Sequence, residues 1–208
     1  MKVALIFLDY LRHEHTKAAL RSIANAGFPF DLFTINKKGI AAAINEGILK
    51  TLDYDAIVTC ANDIEMPDNW LQRMVNVSSD ISHTGMCGIH CVEGQGELTN
   101  IGGHTVYKNF TAFGNVLIPR KAIAAAGLFN EDYDPYGMQD ADYAYRLNAL
   151  GFVNYYIAGL TSQHIGHDVG SQTEYRKMKD EGLSQADAKW RKWIEYYETT
   201  KDYNLTAI

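Results

Sequence analysis

Val3 to Leu8 is an unbroken apolar run, the pattern of a strand covered on both faces. Beyond it Leu11, His15, Ala19, Ile23 and Ala26 recur at helical spacing until Gly27 stops them. Phe30 to Ile35 is a second strand, so the chain opens with the order of a parallel βαβ unit. Asn36 to Gly39 turn it into a helix with the stripe Ile40, Ala43, Ile44, Gly47 and Ile48. The small residues of that stripe allow close approach to a backbone or a ligand. Asp55 to Cys60 is a third strand and runs straight into Ala61-Asn62-Asp63-Ile64-Glu65. Pro67 then suits the first turn of a helix, with Trp70, Leu71, Met74 and Val75 as its buried face. Gly85 to Val92 is a fourth strand. Glu93 to Gly103 is polar and glycine-rich and reads as a mobile loop; His104 to Phe110 reads as a short strand or as part of that loop.

The stretch from Val116 to Leu150 organises the remainder. A strand over Phe113 to Ile118 leads into a short helix stopped by Gly127, then a loop rich in Tyr, Asp and Gly. A second helix starts beside Gln139-Asp140, is anchored by Leu147 and Leu150, and ends at Gly151, which suits the left-handed turn past a helix C-terminus. Asp140 and Asp142 fall in its first turn, where the helix dipole favours carboxylates. Phe152 to Ile157 is another strand. Ala158 to Ser171 is a loop carrying His164, His167 and Asp168. From about 171 to 208 one or two helices place Trp190, Trp193, Tyr196 and Tyr197 on one side, a stripe that reads as packing on the protein's own core. The whole predicts one Rossmann-like α/β domain over 1–208, with a central mixed, mostly parallel sheet flanked by helices.

Composition narrows the function. The 208 residues are 47% hydrophobic and 21% charged, with net charge −6 and no run of like charges. There is no basic patch of the kind that binds a nucleic-acid duplex. The three cysteines, Cys60, Cys87 and Cys91, lie in apolar strand-like runs and read as buried, reduced thiols. The first apolar run is too short for a signal peptide and no run approaches membrane-spanning length, so a cytoplasmic protein without a membrane span is expected. Cys87, His90 and Cys91 mimic zinc spacing, but on a strand His90 faces away from the two cysteines. An Asn-Asp-x-Glu cluster at the C-terminal end of a central strand lies where open α/β sheets bind ligands. Asp63 and Glu65, two apart on extended chain, point to the same side. A solvated turn with a helix-capping acid is the plainer alternative.

Four segments in order carry a resemblance. Asn36 to Gly47 is similar to the Asn/Gly/Ala/Asn helix behind the nucleotide in GT-A fold glycosyltransferases of the family-2 type. Asn62 to Leu71 resembles their metal-binding acidic motif and following helix, Gly114 to Asp142 their acceptor-side segment, and His164 to Ser171 their closing His-x-x-Gly loop. The resemblance implies transfer of a sugar from a nucleotide-diphosphate donor, a UDP-sugar first. It implies Mn²⁺ or Mg²⁺ held by Asp63, Glu65 and His164, because a cation neutralises the charge that builds on the leaving diphosphate. It places Asn36, Gly39, Asn45, Asn62 and Asp63 around the donor. It makes Asp140 the base for an acceptor hydroxyl, with inversion at the sugar carbon. Gln139, Asp142 and His167 fall on the acceptor side; Asp142 either binds acceptor or caps the helix, and His167 can stand in for His164. The acceptor stays open among saccharide, lipid-linked glycan, protein and modified nucleic acid.

The sequence departs from that pattern in three places. Gln139-Asp140 stands for a Glu-Asp pair, Glu65 for an Asp, and the loop after the second strand is nearly absent. A sugar nucleotidyltransferase is the rival enzyme, but Asp9 to Glu14 lacks the glycine-rich loop such an enzyme needs. A non-catalytic nucleotide-sugar or glycan-binding protein is the other rival, and Gln139 is the feature that favours it.

Overall fold

A computed structural model of the chain describes residues 1–92, 94–108, 114–166 and 173–205. His167 therefore lies outside the described residues. Strands β1 (Val3–Leu8), β2 (Asp31–Ile35) and β3 (Ala56–Ala61) alternate with helices α1 (His13–Ile23) and α2 (Ile40–Lys50). There follow β4 (Ile64–Glu65), α3 (Trp70–Asp80), β5 (Thr84–His90), β6 (Glu97–Ile101), β7 (His104–Lys108) and β8 (Asn115–Pro119). Helix α4 (Arg120–Ala126), a 3₁₀ turn at Glu131–Tyr133, α5 (Gln139–Ala149), β9 (Val153–Thr161), β10 (Gln163–His164) and α6 (Glu174–Thr200) complete the order.

Eight strands form one sheet in the order β2-β1-β3-β8-β5-β9-β7-β6. Strands β8 and β7 run against the other six, so the sheet is mixed with most strands in one direction. Helices cover both faces. In β1, Val3, Leu5 and Phe7 join the apolar layer under α1 and α3, while Ala4 and Ile6 join the layer under α2, α4 and α5. That two-sided burial is why the run carries no polar residue. Gly47 of α2 sits so close to the sheet that a Cβ there would lie 2.6 Å from Ile6.

Some expectations need correction. The supposed loop from Glu93 to Gly103 contains β6, which pairs antiparallel with β7. Gly102 and Gly103, both at positive φ (59° and 83°), form the two-residue turn that a right-twisted hairpin requires. Strand β9 runs on to Thr161, beyond Ile157. Leu150 is 38% exposed and anchors nothing, whereas Leu147 is buried. Cys60 and Cys87 are buried, but Cys91 is exposed. The C-terminal aromatic residues lie on the single helix α6, where Trp193 and Tyr197 contact each other and Tyr197 stacks on Tyr145 of α5.

Candidate active site

The C-terminal ends of β1 and β3 and the start of β8 meet at one edge of the sheet. The Asn62 amide N–H bonds the Leu8 carbonyl, and that of Ala61 bonds the Gly114 carbonyl. Across this edge lies a cavity of about 550 Å³, within the size range of small-molecule sites. Its walls include Arg12, Asp63, Asn115, Asp140 and His164, and Tyr175, Arg176 and Lys179 of α6. A smaller space of about 90 Å³ adjoins it, bordered by Tyr10, Lys37, Gly39, Asn62 and Met178.

Asp63 is the centre of the large cavity's floor and is 6% exposed. Its Oδ2 accepts from Arg12 Nη1 at 3.1 Å and lies 3.0 Å from His164 Nε2. The short sheet of β4 and β10, with the Ile165 N–H on the Asp63 carbonyl, brings His164 there. Burial pushes the Asp63 carboxyl up, but the His164 hydrogen bond and the charges of His164 and Arg12 outweigh it and hold it below the usual range. Asn62 faces the other way: its Nδ2 donates to Asp9 Oδ1, the Leu11 carbonyl and Thr16 Oγ1. It fixes the turn after β1.

Asp140, in the first turn of α5, borders the same cavity. Its Oδ1 accepts from the Ala141 N–H at 2.9 Å, and burial raises its carboxyl above the ordinary range. Gln139 contributes no charge to that shift. Its Oε1 accepts from the Gly137 N–H, and its Nε2 donates to the Tyr133 carbonyl and to Asp134 Oδ1. A glutamate there would set a second carboxylate against Asp134, so the departure from Glu has a structural reason. Tyr136, beside Asp140, has its phenol raised by burial and by the Asp140 charge.

Other sequence candidates fall elsewhere. Asp142 is fully buried: Oδ2 pairs with Arg146 Nε at 2.9 Å and Oδ1 accepts from the Tyr197 hydroxyl at 2.8 Å. It joins α5 to α6 and borders neither cavity. Asn45 is also buried; its amide bonds Phe129 N and O and Glu131 Oε1, pinning the 129–131 segment to α2. Gly39, at φ 93°, borders the smaller space and makes room for Asp134, whose carboxylate takes the Ala41 and Ala42 N–H groups at the start of α2. Asn36 is exposed and Glu65 half-buried, and neither borders either of these two cavities. Among the described residues no three His, Cys, Asp or Glu side chains are gathered as a metal site. The sequence does not single out Arg12, Tyr136 or Tyr175. The one signal for Arg12 is its position just past the C-terminal end of a buried strand, where α/β sheets bind ligands.

The molecule is thus an α/β domain built on one mixed sheet, with a charged cavity at the strand ends bordered by the C-terminal helix α6. The sequence signature of Glycosyl transferase family 2 matches residues 4–129, and the chain belongs to that family. No curated protein matches it. Among solved structures, the mannosyltransferase PcManGT from Pyrobaculum calidifontis, in complex with GDP-Man and Mn²⁺, superposes with a TM-score of 0.65 at 14% identity, over 81% of this chain and 58% of that one. GalNAc-T7 with UDP, GalNAc and Mn²⁺ gives 0.61 at 11% identity, over 79% and 44%. TarS 1-349 from S. aureus, with UDP, gives 0.55 at 12% identity, over 76% and 57%. The chain thus spans about half the length of these structures, and at such identities they establish the fold. No helix among the described residues is long and apolar enough to cross a membrane.

Proposed function

We propose that this protein transfers a sugar from a nucleoside-diphosphate donor to an acceptor hydroxyl, with inversion, in the cavity between Asp63 and Asp140. One observation carries the reading: Asp63, at the end of a central strand, and Asp140, in the first turn of α5, border one cavity of ligand size. The family and the nucleotide-bearing neighbours support it. Asp140 is the base. A carboxylate raised by burial binds a proton more strongly than a free aspartate, which suits it to take the hydroxyl proton as the bond to the sugar forms. Tyr136 and Tyr175, 6.3 Å apart and nearly perpendicular, border the same cavity.

Asp63 Oδ2 and His164 Nε2, 3.0 Å apart, are the groups that would hold Mn²⁺ or Mg²⁺; such ions commonly take one or two carboxylates and complete their shell with phosphate oxygens. A cation there would neutralise the leaving diphosphate. Glu65 is left outside this pair, and Asn45 outside the donor contacts. Asn62 holds the turn beside the donor, and Gly39 borders the space for the nucleoside. The donor is a UDP-sugar first; the acceptor class stays open among saccharide, lipid-linked glycan and protein, and a modified nucleic acid would have to meet the cavity without a basic surface. Buried free thiols at Cys60 and Cys87, the latter pushed up to about 12 by burial, support a reducing, cytoplasmic setting.

The test is release of nucleoside diphosphate from UDP-, GDP- and dTDP-sugars in Mn²⁺, with and without a panel of acceptors. Turnover of one donor that Asp140→Asn lowers on the order of 10²-fold or more supports the reading. Binding of a donor without any turnover, hydrolytic or to an acceptor, would favour the non-catalytic alternative.

A further inference from the structure

Arg12 is placed where a simple surface arginine would not be. It and Leu11 are both left-handed, at φ 53° and 57°, a region that non-glycine residues rarely adopt. That turn after β1 directs the guanidinium onto the strand ends. Nη1 donates to Asp63 Oδ2, Nη2 donates to the Gly166 carbonyl, and Cζ lies 4.7 Å from the centre of the Tyr175 ring. The Arg12 side chain is 10% exposed and that of Asp63 8%. A permanent cation is therefore already bound to the carboxylate oxygen that would ligate a divalent ion, and His164 shares that same oxygen.

Two like charges on one carboxylate repel strongly where water is largely excluded, so Arg12 and a divalent ion cannot both keep their full contact with Asp63. A guanidinium is also a forked donor matched to phosphate oxygens. The charges around it favour an anion: Arg12, Arg176 and Lys179 border the cavity against Asp63 and Asp140, in a chain whose net charge is −6.

We propose that Arg12 is a built-in counter-ion of the donor site. It holds Asp63 while the site is empty, competes with a divalent ion for that oxygen, and turns to the diphosphate when the donor enters. Donor binding then has a component that needs no metal. The inference rests on the donor-site reading above.

The test uses the full chain, with Mn²⁺ alone followed by the spectroscopic signal of free Mn²⁺, and UDP, GDP and dTDP titrated by calorimetry in Mn²⁺ and in EDTA. The wild type should bind one of the diphosphates in EDTA. Arg12→Gln should lose about tenfold or more of that affinity, keep binding in Mn²⁺, and bind Mn²⁺ alone about tenfold more tightly, as expected for one charged hydrogen-bond partner removed. Arg12→Lys should fall between. Asp63→Asn gives an opposite and independent sign: it should lose Mn²⁺ binding yet bind the diphosphate more tightly in EDTA, because Arg12 is released. Unchanged EDTA and Mn²⁺ affinities in Arg12→Gln would overturn the inference. So would a wild type that binds only with Mn²⁺, or an Asp63→Asn variant weakened in EDTA; should Arg12→Gln fail to fold, these two arms still decide. Failure of every diphosphate to bind the wild type in both conditions would bring down the donor-site reading along with it.

Discussion

Asp142→Asn separates a structural carboxylate from an acceptor contact two positions after the proposed base. Asp142 and Arg146 are 0% exposed, and their ion pair is 2.9 Å long. Burial raises the Asp142 carboxyl, while the Arg146 charge and the hydrogen bonds from Tyr197 and Arg146 oppose that rise. Asparagine preserves the shape and the acceptor for Tyr197 but leaves a buried cation without its counter-charge. Breaking such a pair costs about 3–5 kcal/mol. The Ala126, Leu128 and Tyr203 carbonyls still solvate Arg146, which puts the variant near ~3 kcal/mol. For a chain of this length that lowers the midpoint of thermal unfolding by roughly 6–12 °C. Replacing both partners, Asp142→Leu with Arg146→Met, should recover most of the loss, since an apolar pair of similar volume is often neutral or better. Well below the midpoint, KM for donor and acceptor should match the wild type. A midpoint within a degree of wild type, or a large loss of turnover with an unchanged midpoint, would refute the buried-anchor reading.

Asp140→Asn should lower turnover on the order of 10²-fold or more with donor affinity little changed. The wild-type rate should fall as pH drops through a pKa above that of free aspartate, because the base is then protonated, and the residual rate of Asp140→Asn should lack that limb. A raised carboxyl binds its proton more tightly in the folded state, so ionisation costs stability as pH rises through it; Asp140→Asn should therefore unfold no earlier than wild type at neutral pH in a melting curve. Asp63→Ala should abolish the Mn²⁺-dependent part of nucleoside-diphosphate binding in calorimetry, and persistence of that part would put the cation elsewhere. Gly166→Ala would set a Cβ 2.6 Å from Asp63 Cβ and 2.7 Å from Arg12 Cζ, so donor KM should rise several-fold, and wild-type kinetics would mean that this contact is not needed.

Much of the sheet was legible because its central strands are buried on both faces: β1 was bounded correctly by its apolar run alone. The β6–β7 hairpin was hidden because its strands are largely exposed and polar, and only the Gly102-Gly103 pair marked the turn. The site was legible where chemistry sits at a strand end, as with Asp63, or at a helix start, as with Asp140. Motif position could not say which way a helical side chain points. Asn45 and Asp142 occupy the expected helices but spend their polar groups on the 129–131 segment and on Arg146. Gln139 looked like a lost carboxylate, whereas its amide donates to Asp134, a tertiary contact that local sequence does not reveal. Arg12 reaches Asp63 across 51 residues of chain through a left-handed turn that no glycine announces.

The central claim is a nucleoside-diphosphate site between Asp63 and Asp140, and thermal unfolding with UDP, GDP and dTDP tests it without knowledge of the acceptor. A ligand bound only by the folded state, at a hundred times its dissociation constant, stabilises by about 2.7 kcal/mol, a rise of roughly 5–10 °C at this chain length. The account predicts such a rise for one of the three diphosphates in Mn²⁺, UDP first, and a smaller one in EDTA that Arg12 sustains. No shift with any of them in Mn²⁺, Mg²⁺ or EDTA would contradict it.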